Sequence, residues 1–203
     1  METLFAKQDR LLLLTSTEII RTLMHRINWD AQLVAIRGPR GVGKTTLMLQ
    51  YMKLHYEVYS REVLYCTLDS VYFSNHTLLE LADVFVKNGG KHLFLDEVHK
   101  YPTWSKEIKE VYDMYPDLKV VFSASSLLNI LNADADLSRR CIPYEMQGLS
   151  FREFLLFYKQ MSFPVCTLEE VLTSPEKICS EVNKVCLYLF LKNICNMDII
   201  RFI

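Results

Sequence analysis

"GPRGVGKTT", residues 38–46, decides how the rest of the chain is read. It satisfies the spacing G-x-x-x-x-G-K-[ST] through Gly38, Gly43, Lys44 and Thr45. Glycine at these points permits backbone angles that aim successive N–H groups into one concavity, the shape that surrounds a phosphate. Pro39, Arg40, Gly41 and Val42 lie between the paired glycines, and Thr46 completes the stretch as the chain turns helical. Lys44 suits the β- and γ-phosphates as a point charge, and the Thr45 hydroxyl suits Mg²⁺. A helix opening here adds free N–H groups and its positive dipole end. All nine residues are therefore candidate nucleotide contacts, and Arg40 is able to meet either phosphate or solvent.

The flanks agree with that placement. "LVAIRG" (33–38) is a short β-branched run before the loop, and "KTTLMLQYMKLH" (44–55) has helical spacing after it. Further along, "VLYCTLD" (63–69), "HLFLDEV" (92–98), "KVVFSAS" (119–125) and a weaker "IPYEMQG" (142–148) read as strands. "TLLELADVFVK" (77–87), stopped by Asn88-Gly89-Gly90, and "WSKEIKEVYDMY" (104–115) read as helices between them. Strands apolar on both faces and separated by helices predict an α/β fold, a mostly parallel sheet covered on both sides. Ser150 and Glu153 fit a capping box opening the helix "FREFLLFY", and 15–28 has a helix-like pattern through Ile19, Ile20, Leu23 and Ile27. The α/β domain is expected over residues 1–160.

Asp96 and Glu97 close the most apolar of these strands. Ligands of parallel sheets gather outside the strand ends. Neighbouring strand residues point to opposite faces, so the two acids are expected to serve different roles. Asp96 suits Mg²⁺, held mainly through water, because Mg²⁺ takes few carboxylates. Glu97 suits polarising a water that attacks the γ-phosphate. His99 nearby reads as a surface or packing residue.

On "GPRGVGKTTLMLQ", "LFLDEVHKYPTWSKEIKEVYD", "VVFSASSLLNI" and "DLSRRCIPYEMQGLSFREFL", most of residues 30–157 resembles an AAA+ ATPase. More narrowly it resembles the prokaryotic AAA-family ATPases that carry a C-terminal PD-(D/E)XK nuclease-like domain. The resemblance implies a P-loop NTPase fold, ATP and Mg²⁺ as ligands, and hydrolysis coupled to conformational change, with Lys44 and Glu97 catalytic. It also implies that Ser123 or Ser125 senses the γ-phosphate, although relatives show Thr-Gly-Ser-Ser where this chain has Ser123-Ala124-Ser125-Ser126. Arg139 and Arg140 resemble an arginine that approaches the γ-phosphate in the same chain or across a subunit boundary, and Arg140 is the catalytic candidate of the two. A nucleotide-binding switch with little turnover and a P-loop kinase are the alternatives. Glu97 beside Asp96 favours water over a kinase acceptor.

Composition narrows the classes further. The 23 basic and 24 acidic residues are mixed along the chain, so nucleic acid binding is not implied. Cys66, Cys141, Cys166, Cys179, Cys186 and Cys195 show no metal-ligand spacing and read as reduced thiols of a cytoplasmic protein. "LLLL" at 11–14 is too short for a signal-peptide core, and the apolar tail carries charges that lipid would penalise. No membrane partner is expected; nucleotide and self-association are. Residues 161–184 are expected to begin a connection to a missing C-terminal domain. Residues 185–203, "VCLYLFLKNICNMDIIRFI", fit neither an anchor nor a clean amphipathic helix. Read one base earlier, Met197-Asp198 must spell glycine and Cys195-Asn196 glutamine. Synonymous codons elsewhere then allow the segment with which the resembling family enters its nuclease-like half, so the tail is expected to be out of frame and the chain truncated.

Overall fold

Alternate residues of each central strand enter two different cores, which is how a pleated strand serves two faces. In the computed structural model, which describes residues 1–57, 59–124, 137, 139–159, 166–176 and 180, the strands are β1 (Leu33–Arg37), β2 (Val63–Thr67), β3 (His92–Asp96), β4 (Lys119–Ala124) and β5 (Ile142–Glu145). They form one sheet in the order β2-β3-β4-β1-β5, and every pairing is parallel. Leu33 and Ala35 of β1 join Leu93 and Leu95 of β3 in one core, while Val34, Ile36 and Phe94 enter the other. The first core is covered by α1 (Glu2–Leu14), α3 (Leu78–Lys87) and α4 (Trp104–Met114). The second is covered by α2 (Lys44–His55) together with Met24, Ile27 and Trp29. The expected α/β fold, a parallel sheet with helices on both faces, is the one observed.

Helix ends follow local chemistry. Thr77 and Glu80 form a capping box at the start of α3. At its far end the Gly89 and Gly90 N–H groups donate to Val86 O and Phe85 O, the bonding that the Asn-Gly-Gly stop predicts.

Two N-terminal features differ from expectation. Residues 15–28 contain only a 3₁₀ turn, Thr22–His25, and no α-helix. The carbonyls that a helix would pair internally are satisfied from α2: Gln50 Nε2 donates to Ser16 O and Ile19 O at 2.8 and 2.9 Å, and Lys53 Nζ donates to Thr15 O at 2.7 Å. Ile20, Leu23 and Ile27 still pack on the second core, so the apolar spacing reported burial without reporting the element. The helix lies earlier, at α1, and buries Leu4, Phe5 and Gln8. Gln8 is 1% exposed because it finishes the sheet edge: its Oε1 accepts from Tyr65 N at 2.7 Å and its Nε2 donates to Val63 O at 3.3 Å. The side-chain amide thus occupies the place of a neighbouring strand beside β2.

The chain divides into two compact units, Met1–Gln147 and Gly148–Ile203. Everything above belongs to the first. The second contains α5 (Phe151–Lys159) and α6 (Leu168–Thr173). The expected Ser150–Glu153 capping box is present at α5, with Ser150 N donating to Glu153 Oε2 at 3.0 Å and Glu153 N to Ser150 Oγ at 3.3 Å. The tail 185–203 and Ser125 lie outside the described residues. Among the described residues no helix is long and apolar enough to cross a membrane.

Candidate nucleotide site

The loop at 38–46 leaves the C-terminal end of β1 and runs straight into α2, whose first residue is Lys44. Two glycines are needed there for different reasons. Gly43 caps the helix at φ +97, a left-handed conformation that side chains other than glycine's occupy at a cost. Gly38 meets a neighbour instead: a Cβ on it would stand 2.1 Å from Met146 O, the backbone that follows β5. Gly38→Ala is therefore expected to lower stability by about 3 kcal/mol, as for an overpacked core position, and to displace the loop. Thermal melting with and without ATP reads both effects.

Lys44 is 5% exposed, and its ammonium donates to Gly38 O and Pro39 O at 2.8 Å each. Burial lowers its pKa, while the nearby Glu97 and Asp96 charges oppose that shift. Thr45 Oγ1 donates to Asp96 Oδ2 at 2.6 Å, tying the loop's helix to the end of β3. Arg40 and Thr46 are exposed, the first at the tip of the loop. Outside the loop, Arg21 Nη1 donates to Val42 O at 2.9 Å and Arg21 Nη2 to Gln147 O at 2.9 Å, so one guanidinium braces the loop against the end of the first unit.

Asp96 is the hub. It is 3% exposed, and both carboxylate oxygens are occupied. Oδ2 accepts from Thr45 and from the Tyr65 hydroxyl at 2.8 Å. Oδ1 accepts from the fully buried Ser123 hydroxyl and from the Glu97 N–H at 3.1 Å. Ser123 Oγ in turn accepts from the Glu97 N–H at 3.1 Å. Burial, and after it the charge of Asp96, holds the Tyr65 phenol protonated far above its ordinary range, so it acts as a donor here.

Glu97 departs from the strand geometry assumed for it. β3 ends at Asp96, and Glu97 has φ +54, ψ +42, a left-handed conformation uncommon for a residue with a side chain. The two acids diverge because the backbone turns between them, while strand alternation plays no part. Backbone conformations of this kind concentrate at functional sites. Glu97 Oε2 is shielded from solvent and accepts no hydrogen bond among the described residues, yet His99 Nε2 stands 3.3 Å from it. The contact lacks hydrogen-bond alignment, so it is one of proximity. His99 is thus a neighbour of the acid, in addition to packing.

Lys44, Thr45, Asp96, Glu97 and Ser123 therefore meet at the C-terminal ends of the central strands. Arg140 does not join them within the chain. It precedes β5, whose Ile142 pairs with Val34 near the start of β1, whereas the loop begins beyond the end of β1. Four residues of strand separate those levels, roughly 13 Å. Arg140 instead donates from Nε and Nη2 to Asp113 at 3.1 and 3.3 Å, near the end of α4. Arg139 is exposed. Tyr65 is the member that sequence reasoning missed, since one tyrosine in an apolar strand carries no mark of its hydroxyl's target.

A glycine loop between a strand and a helix, joined to an acid on a strand two places away, defines a P-loop NTPase fold. The AAA domain model AAA_14 matches residues 30–155, and the chain belongs to that family of AAA-type ATPases. It is 26% identical to the uncharacterized protein MJ1637 of Methanocaldococcus jannaschii over 155 residues, covering 72% of this chain and 32% of that protein. It is 28% identical to MJ1544 of the same organism over 131 residues, covering 62% of this chain and 29% of that protein. The chain thus spans under a third of the length of the curated relatives it matches. Its fold is also similar to S. cerevisiae Hsp104 in a complex with casein, with a TM-score of 0.52, 14% identity, and coverage of 75% of this chain and 31% of that one.

Proposed function

We propose that this chain binds ATP with Mg²⁺ and hydrolyses it, and that turnover drives a change of conformation. The observation that carries the reading is the unbroken set of hydrogen bonds from Thr45 through Asp96 and Ser123 to the backbone of Glu97. It links the group suited to the metal with the group suited to the water.

The donor set fits Mg²⁺: a hydroxyl and a carboxylate lie 2.6 Å apart, both hard oxygens, with room in the metal's preference for several waters. Thr45 would hold the ion directly and Asp96 through water. When bound, Mg²⁺ neutralises charge on the β- and γ-phosphate oxygens. The loop N–H groups and the α2 N-terminus bind the same oxygens. Lys44 exchanges its two carbonyl contacts for phosphate. Glu97 accepts a proton from the attacking water as its oxygen bonds to the γ-phosphorus and the bond to the ADP oxygen breaks. ATP and water become ADP and phosphate. Ser123 holds the Glu97 backbone in register with Asp96, which agrees with a sensor role at the strand end.

Arg139 and Arg140 serve a neighbouring copy's nucleotide in this proposal, because the nucleotide site of their own chain lies at the opposite ends of the strands. Specific activity is then expected to rise with chain concentration, and to fall on dilution; a rate per chain that is constant across dilution contradicts it. A second reading, a switch with little turnover, is favoured by His99 beside Glu97, which competes for the carboxylate. Release of ADP by the purified chain, lost on chelating Mg²⁺, supports hydrolysis. Tight ATP binding without ADP supports the switch.

We also propose that residues 185–203 are read out of frame. The coding DNA tests this, since codons that cannot spell the family's segment one base earlier contradict it.

A further inference from the structure

We propose that Tyr65 is a positioning residue for the metal side of the nucleotide site, holding Asp96 so that its carboxylate faces the ion. The inference rests on the ATP·Mg²⁺ site proposed above and adds a group to it that lies outside both the loop and the acidic pair. Asp96 Oδ2 has two donors, and they differ in what a ligand does to them. Thr45 belongs to the first turn of α2: its hydroxyl oxygen would turn a lone pair to the metal while its proton stays on Asp96. Tyr65 lies in the middle of β2, 5% exposed, and its hydroxyl reaches across to Oδ2 from within the sheet.

Three features make that hydroxyl a fixed reference. The ring belongs to the second core with Phe94 and Val121, so the side chain has little room to swing. The backbone of Tyr65 is pinned twice, by its place in the β2–β3 ladder opposite Phe94 and by the N–H bond to buried Gln8 Oε1 at 2.7 Å. Cys66, the next residue, points into the opposite core and cannot substitute for the phenol. Asp96 Oδ1 is meanwhile held by Ser123 and the Glu97 N–H. The carboxylate plane is thereby set from both sides, by β2 through Tyr65 and by β4 through Ser123. Metal-bound water needs an acceptor of fixed direction, and partners one shell out from the metal supply such direction.

The test uses the full chain and a fluorescent ATP analogue, titrated in EDTA and at increasing Mg²⁺. Tyr65→Phe keeps the ring and removes the hydroxyl. Affinity in EDTA is expected to stay within about twofold of the parent, while the Mg²⁺ concentration that half-restores tight binding rises about five- to tenfold. A half-restoring concentration equal to the parent's overturns the inference, as does an equal loss of affinity with and without Mg²⁺, the mark of a merely structural role. If Tyr65→Phe does not fold, the parent decides: the protected Tyr65 hydroxyl proton should shift in NMR when Mg²⁺ is added to the ATP-bound chain, and no shift overturns the inference. A parent whose binding ignores Mg²⁺ overturns the ATP·Mg²⁺ site itself, which separates that failure from this one.

Discussion

Glu97→Gln is expected to slow phosphate release by roughly 10²–10⁴-fold, the usual contribution of a positioned general base, while ATP·Mg²⁺ binding is retained. The substitution keeps size and polarity but removes the lone-pair basicity that takes a proton from water. The Glu97 N–H bonds to Ser123 and Asp96 come from the backbone, so the frame around the substituted side chain survives. The left-handed conformation at this position costs a glutamine as much as it does a glutamate, so stability should change little. The contact with His99 loses the charge of the carboxylate but keeps an oxygen at the same place. Phosphate release and analogue binding, measured on the same preparation, give the two readouts. A rate close to that of the parent assigns the proton transfer elsewhere and favours the switch.

Lys44→Ala is expected to act one step earlier, lowering affinity for ATP by about a hundredfold or more, as for loss of a charge-assisted phosphate contact in a shielded site. The fold should tolerate it. Lys44 is nearly buried, and burial is the larger influence on its charge, so removing the ammonium relieves a desolvation cost as it deletes the bonds to Gly38 O and Pro39 O. Equilibrium binding of the fluorescent analogue and a melt without nucleotide separate these effects. Lost binding with an unchanged melting temperature is the expected pair. Binding that survives would place the phosphates away from this loop. Arg40 is exposed, whereas Lys44 is buried against the loop carbonyls, so the two cations of the loop are not equivalent.

The loop and the strands were legible in the sequence because each depends on spacing within one short stretch. Lys44 and Thr45 follow Gly43 by one and two residues, and the helix they open ends at His55 as its pattern predicts. What escaped depends on partners distant in sequence. Helix α1 was hidden because Gln8, a polar residue, occupies its core-facing position to pair with β2. The stretch 15–28 read as helical, yet its carbonyls are taken by Gln50 and Lys53. Glu97 was placed on a strand because nothing in its neighbours announces a left-handed turn. Tyr65 reads as core, and only the pairing of Thr67 with Asp96 reveals that β2 and β3 run level enough for the phenol to reach the acid. For Arg140, position relative to the loop is a property of the β5 register, which residue order does not contain.

In the proposed function, the group of residues around Asp96 transfers the γ-phosphoryl of ATP to water. A single-turnover experiment with γ-labelled ATP held below the chain concentration, with and without Mg²⁺, tests it most directly. Equal amounts of ADP and free labelled phosphate, formed only with Mg²⁺, are the predicted result. ATP that stays bound and intact, or label that appears on another acceptor, would contradict it.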